Sequence, residues 1–183
     1  MSAYNEHQFG EMHRRLSEEG GFTYNPRSKQ FVSSGYSVAA HPAAELRIPQ
    51  SETSHAALAG YVAGSAPTWK GEGKKGAGQE MIGGWRSEHH DVLDIPKVFP
   101  ATPSGHTKSR RAQVLRGQEA SFSLHEGAED VNPFHPSSRL SEQFPEFSRL
   151  AANRPEVALE QPEIAAWAEG PSRKAAFQRG HGK

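Results

Sequence analysis

The chain has 183 residues, of which 34% are hydrophobic, with 21 basic and 21 acidic side chains and no cysteine. That length suits one domain with a tail, and the balanced charge argues against a globally electrostatic nucleic-acid binder. Without cysteine there are no disulfides, no thiol catalysis and no cysteine-ligated metal centre.

In chain order, Phe9, Met12 and Leu16 share one face of a helix expected over 4–19, which Gly20-Gly21 ends. Phe22-Thr23-Tyr24 reads as a short strand, stopped by the turn signal Asn25-Pro26. Residues 30–38 read as strand, bend and strand. Leu46 and Ile48 alternate in an edge strand closed by Pro49. Ser51 and Thr53 are N-cap candidates for a helix over 53–63, whose apolar face is Ala57, Leu58, Tyr61 and Val62. Residues 65–79 are rich in glycine and lysine and lack periodicity, as a surface loop does.

Order resumes with a hairpin, 81–85 and 91–95 around a turn at 87–90, ended by Pro96 and Pro100. A helix follows over 104–116, with Ala112 and Leu115 inward, Lys108, Arg110, Arg111 and Arg116 outward, and Gly117 as its cap. Residues 118–124 alternate Ala120, Phe122 and Leu124 against Glu119, Ser121 and Ser123, which predicts a buried apolar face and a wet polar one. Beyond Glu126, aromatics are scattered between prolines and serines, with two weak helices near 156–168 and 172–179. The expected class is α+β: a small antiparallel sheet with two or three packing helices and a partly irregular C-terminal tail. Its parts are an N-terminal helix (1–19), an α+β domain (20–133) and the tail (134–183).

No constellation assembles a catalytic site. His89-His90-Asp91 with Asp94 is the densest set of potential metal ligands, but adjacent strand residues point to opposite sides, so a polar turn is the preferred reading. Gly71–Gly76 resembles a phosphate loop only superficially, since neither Ser/Thr nor a helix follows Lys74. The serines lack a Gly-x-Ser-x-Gly elbow, and Glu18-Glu19 and Glu129-Asp130 are carboxylate pairs expected at element ends. Tyr24, Asn25 and Arg27 line a pocket or form a turn. No catalytic residue, metal site or cofactor is therefore assigned. Lys74, Lys75, Arg86, Lys108, Arg110, Arg111 and Arg116 make a candidate basic patch for phosphates, with Trp69 and Trp85 for stacking.

The strings Gly20–Arg27 (GGFTYNPR) and Ser34–Pro42 (SGYSVAAHP) precede Gly83-Gly84-Trp85, Leu93-Asp94-Ile95, Arg111-Ala112 and Gln118–Leu124 (QEASFSL). In this order they resemble a group of uncharacterised proteins of actinobacteria, their plasmids and their bacteriophages, over about residues 20–133. The usual Thr-Gly-Glu turn of that group is Ser28-Lys29-Gln30 here, and the insert before Glu80 is long. The resemblance implies a phage or mobile-element accessory protein and carries no catalytic residues with it.

The functional expectation is a non-enzymatic protein that binds a host or virion protein. Phe134, Phe144, Phe147 and Trp167 are its candidate anchors, apolar groups set between polar ones. The alternatives are a nucleic-acid-associated protein using the basic helix, and a minor virion structural protein. No signal-peptide pattern opens the chain and no apolar run nears the roughly 18 residues of a membrane span, so a cytoplasmic location is expected.

Overall fold

The computed structural model describes residues 6–39, 44–65 and 78–171. The architecture is α+β, and the chain divides into two compact units interleaved in sequence. Among the described residues, the first unit holds 6–33, 39, 44–65 and 79–97, and the second holds 34–38, 78 and 98–171.

In the first unit, α1 (Glu6–Arg14) runs into a π-helical turn (Arg15–Glu19), which closes at Gly20. The unit's strands are β1 (Gly21–Asn25), β2 (Gln30–Phe31), β4 (Leu46–Pro49), β5 (Gln79–Glu80), β6 (Ile82–Arg86) and β7 (His90–Asp94). Its main sheet has the order β2-β1-β6-β7-β4, with antiparallel pairing throughout and β4 at one edge. The second helix, α2 (His55–Ser65), is capped by Ser54, whose Oγ accepts from the Ala57 N–H at 3.2 Å, in place of Ser51 or Thr53.

Phe9, Met12 and Leu16 from the N-terminal helix meet Leu58 and Val62 of α2 over Phe22, Tyr24, Ile82, Leu93 and Ile48 of the sheet. Burial of each such side chain contributes roughly 1.5–3 kcal/mol. The glycine pair in β6 admits two neighbours that a side chain would displace. A Cβ at Gly84 would lie 2.5 Å from the Phe22 ring, and one at Gly83 would lie 2.1 Å from Asp94 Oδ1. The motifs GGF, GGW and LDI are thus three adjacent strands fitted to one another.

In the second unit, β3 (Tyr36–Ala39) pairs with β9 (Ala120–Ser123), which pairs with β10 (Ala128–Val131), both antiparallel. The hairpin's second strand ends at Asp94, just before Pro96. Pro96 opens a further strand, β8 (Pro96–Phe99), within which the chain passes from the first unit to the second. Gly35 packs here at φ 121°, where a Cβ would lie 2.6 Å from the Phe99 carbonyl oxygen, which requires glycine.

Helix α3 (Pro103–Leu115) begins with Thr102 as N-cap, its side chain accepting from the Gly105 N–H at 3.0 Å. Three assignments made from pattern are corrected here. Leu115 is 46% exposed, while Arg110, expected outward, is 2% exposed. On β9 the faces are inverted: Ser121 and Ser123 point inward and Phe122 is 43% exposed.

The helix expected near 156–168 is present as two short ones, a third precedes them, and all three contribute to the core of this unit. α4 (Pro145–Asn153), α5 (Pro155–Ala158) and α6 (Pro162–Glu169) each start with proline at the first turn followed by glutamate. Proline there has no N–H to lose, and the acid complements the helix dipole. Their apolar sides gather Val114, Phe134, Ala151, Ala158, Leu159 and Ile164 into one cluster. The weak helix expected near 172–179 lies outside the described residues.

Candidate functional site

Helix α3 carries His106, Ser109, Arg110 and Gln113 at spacings of three, four and seven, which places them on one face. All four are buried, and the groups that answer them are polar as well: Ser121 on β9 and Asp130 on β10. His106 Nε2 lies 2.9 Å from Asp130 Oδ2, while Arg110 donates from Nε to the same oxygen at 2.7 Å and from Nη2 to Oδ1 at 2.9 Å. Gln113 Nε2 donates to Ser121 Oγ at 2.7 Å. Burial alone would raise the Asp130 pKa. The hydrogen bonds from His106 and Arg110 outweigh it and hold the carboxyl down at about 2.

Arg110 also reaches the C-terminal end of α6. Its Nη1 donates to the Trp167 carbonyl and, at 3.2 Å, to that of Gly170, and the guanidinium sits 4.9 Å from the Trp167 ring centroid. One side chain therefore joins α3 to both β10 and the last helix. The Tyr36 ring packs 4.9 Å from His106 and 5.1 Å from His125, and burial raises its pKa, helped by the charges of Glu126 and Asp130.

The ionised Asp130 can only accept, so His106 donates to it from Nε2; in a catalytic His–Asp pair it is Nδ1 that donates, leaving Nε2 free as the base. A nucleophile to complete a hydrolytic set is missing among the described residues. Ser109 Oγ donates to the His106 carbonyl at 2.8 Å, and Ser123 Oγ faces His125 Nδ1 at 3.4 Å. The arrangement holds elements together, and its hydrogen-bonding capacity is directed inward.

The first unit carries a separate polar feature. Gly83 and Asp94 are register partners, as are Trp85 and Val92, so Asp94 and Trp85 lie on one face of the sheet, diagonally across β6 and β7. Trp85 is 44% exposed, and its partner on β1 is Gly21. Burial, and then the negative charge of Glu45, push the Asp94 carboxyl up to about 6. Tyr61, pushed up to about 12 chiefly by burial, also feels Asp94, and its hydroxyl donates to the Ala44 carbonyl at 2.8 Å.

The candidate anchors are brought together as core. Phe134 is 3% exposed, with ring centroids of Phe144, Phe147 and Trp167 at 5.5, 6.0 and 5.8 Å. The candidate basic patch is not assembled as a free surface. Arg110 is buried, and Arg86 grips Asp91 through Nε at 2.7 Å and Nη2 at 2.9 Å. Lys108 and Arg111 are exposed and Arg116 is partly buried, whereas Trp69, Lys74, Lys75 and the Gly71–Gly76 string lie outside the described residues.

His89 and His90 are exposed beside the fully buried Asp91, and no group of three potential metal ligands forms among the described residues. Asn25 makes a turn, its Oδ1 accepting from the N–H groups of Arg27 at 2.9 Å and Ser28 at 3.2 Å. What the patterns missed are Tyr36, His106 and Asp130. The available signal was the run of polar residues at 106, 110 and 113 along one helical face. Among the described residues, no helix is long and apolar enough to cross a membrane. Comparison with protein-family models, curated proteins and solved structures gives no match.

Proposed function

We propose that the protein is a non-enzymatic accessory protein that works by binding another protein, through the outward face of β9 in its second unit. The observation that supports this is the inverted strand. Phe122 stands 43% exposed between Glu129 and Ser37, its register partners, while the serines on either side of it are buried. Turning a phenylalanine to water and serines to the interior wastes hydrophobic stabilisation, unless the aromatic serves contact with something else. The internal commitments of Arg110, Asp130 and His106 favour binding over catalysis, because those groups hold the fold. The resemblance to plasmid and phage proteins of actinobacteria supports a mobile-element setting, with a host or virion protein as partner in the cytoplasm.

The test is affinity capture from host and infected-cell lysates, with and without nuclease, using the wild type and Phe122→Ser. A protein captured regardless of nuclease and lost with Phe122→Ser is the expected result. Capture that needs nucleic acid, or that survives the substitution, overturns this assignment.

A further inference from the structure

We propose that the first sheet carries a second recognition site, in which the Trp85 indole and the Asp94 carboxylate together accept a lysine or arginine side chain from a partner protein. This site shares no residue with the Phe122 face and does not depend on it. The register places both groups on one side of the sheet, about 7–8 Å apart along the diagonal at the backbone, a gap that a side-chain cation can span. Gly21, opposite Trp85 on β1, has no side chain to cover that flank of the indole. Gly83 plays the same part for the acid: with no Cβ there, the carboxyl lies across the strand toward β6.

Charge specifies the occupant. An exposed indole face attracts a cation within about 6 Å of its centroid. Among the described residues no Lys, Arg or His forms an ion pair with Asp94. The charged and titratable neighbours are Glu45 and the Tyr61 hydroxyl, and Arg47 is already engaged by Glu45 at 2.8 Å. An arriving ammonium or guanidinium relieves the repulsion between Asp94 and Glu45, whereas a phosphate would add to it. That asymmetry selects a basic protein segment over a nucleic acid stacking on Trp85.

The full-length protein labelled with 5-fluorotryptophan tests this by fluorine NMR, with the Trp85 resonance identified through Trp85→Phe. The probes are the peptide Gly-Arg-Gly-Arg-Gly, its glutamate counterpart and an oligothymidylate. The arginine peptide is expected to shift the Trp85 resonance saturably at pH 7.5 and far less at pH 5, where Asp94 is protonated. Asp94→Asn is expected to weaken the response roughly fivefold. An unchanged Trp85 resonance in the peptide-free variant shows that its first unit is folded, and the pH profile of the wild type gives the same answer without substitution. An unmoved Trp85 signal, a response equal at both pH values, or a larger shift with oligothymidylate overturns the proposal.

Discussion

The two units solve the burial problem in opposite ways. The first has an apolar interior: ten buried hydrophobic residues from two helices and a sheet form one cluster, and its Arg86–Asp91 pair, of which only the acid is fully buried, is local, five residues apart. The second puts a polar layer between α3 and its strands, and keeps its largest apolar cluster for the contact of α3 with the C-terminal helices. A buried ion pair adds little net stability over an apolar replacement, but removing one partner is costly. The contrast teaches that the second unit is specified by hydrogen bonds at defined positions, the first by hydrophobic area.

The largest expected effect breaks that polar layer. Arg110→Met leaves Asp130 short of two donors and the end of α6 without its cap, at a cost of about 3–5 kcal/mol. A denaturant melt measures it. A loss below about 1 kcal/mol would show that the network is incidental.

The two acids separate the units by pH. Asp130, lowered to about 2, contributes stability that is full above its unfolded pKa near 4 and is lost as pH falls through 2. Asp94, raised to about 6, works in the other direction: its contribution is full below pH ~4 and disappears as pH rises through 6. Asp94→Asn should therefore stabilise the protein by about 1–3 kcal/mol at pH 8 and leave it unchanged at pH 4. Melts of the variant and wild type at both pH values check the sign. An acid that lowers stability at neutral pH is the kind of residue a binding site retains.

Much of the first unit was legible in the sequence. Phe9, Met12 and Leu16 at helical spacing, the edge strand of Leu46 and Ile48, and the hairpin around 87–90 are local patterns that the fold follows, although only Ile48 of that strand's apolar pair is buried. In the second unit the local pattern misleads. On β9 the alternation of Phe122 with Ser121 and Ser123 sets the period correctly, but the facing side of α3 is polar, so the serines go in. Arg110 reads as a solvated base because its partners, Asp130 and the carbonyls of Trp167 and Gly170, are 20, 57 and 60 residues away. The proline–glutamate starts at Pro155 and Pro162 open helices in the stretch near 156–168 that reads as helical, whereas the one at Pro145 is a sequence signal for a helix that scattered aromatics conceal.

The account rests on the assignment of two phenylalanines to opposite environments, and the smallest effect belongs to the exposed one. Unfolding free energies of Phe134→Ala and Phe122→Ala, measured side by side, test this most directly. The account predicts a loss of about 3–5 kcal/mol for Phe134→Ala and less than about 0.5 kcal/mol for Phe122→Ala. A large loss at Phe122 together with a negligible one at Phe134 would contradict it, and would return β9 to its apolar-inward orientation and residues 134–150 to a free docking strip.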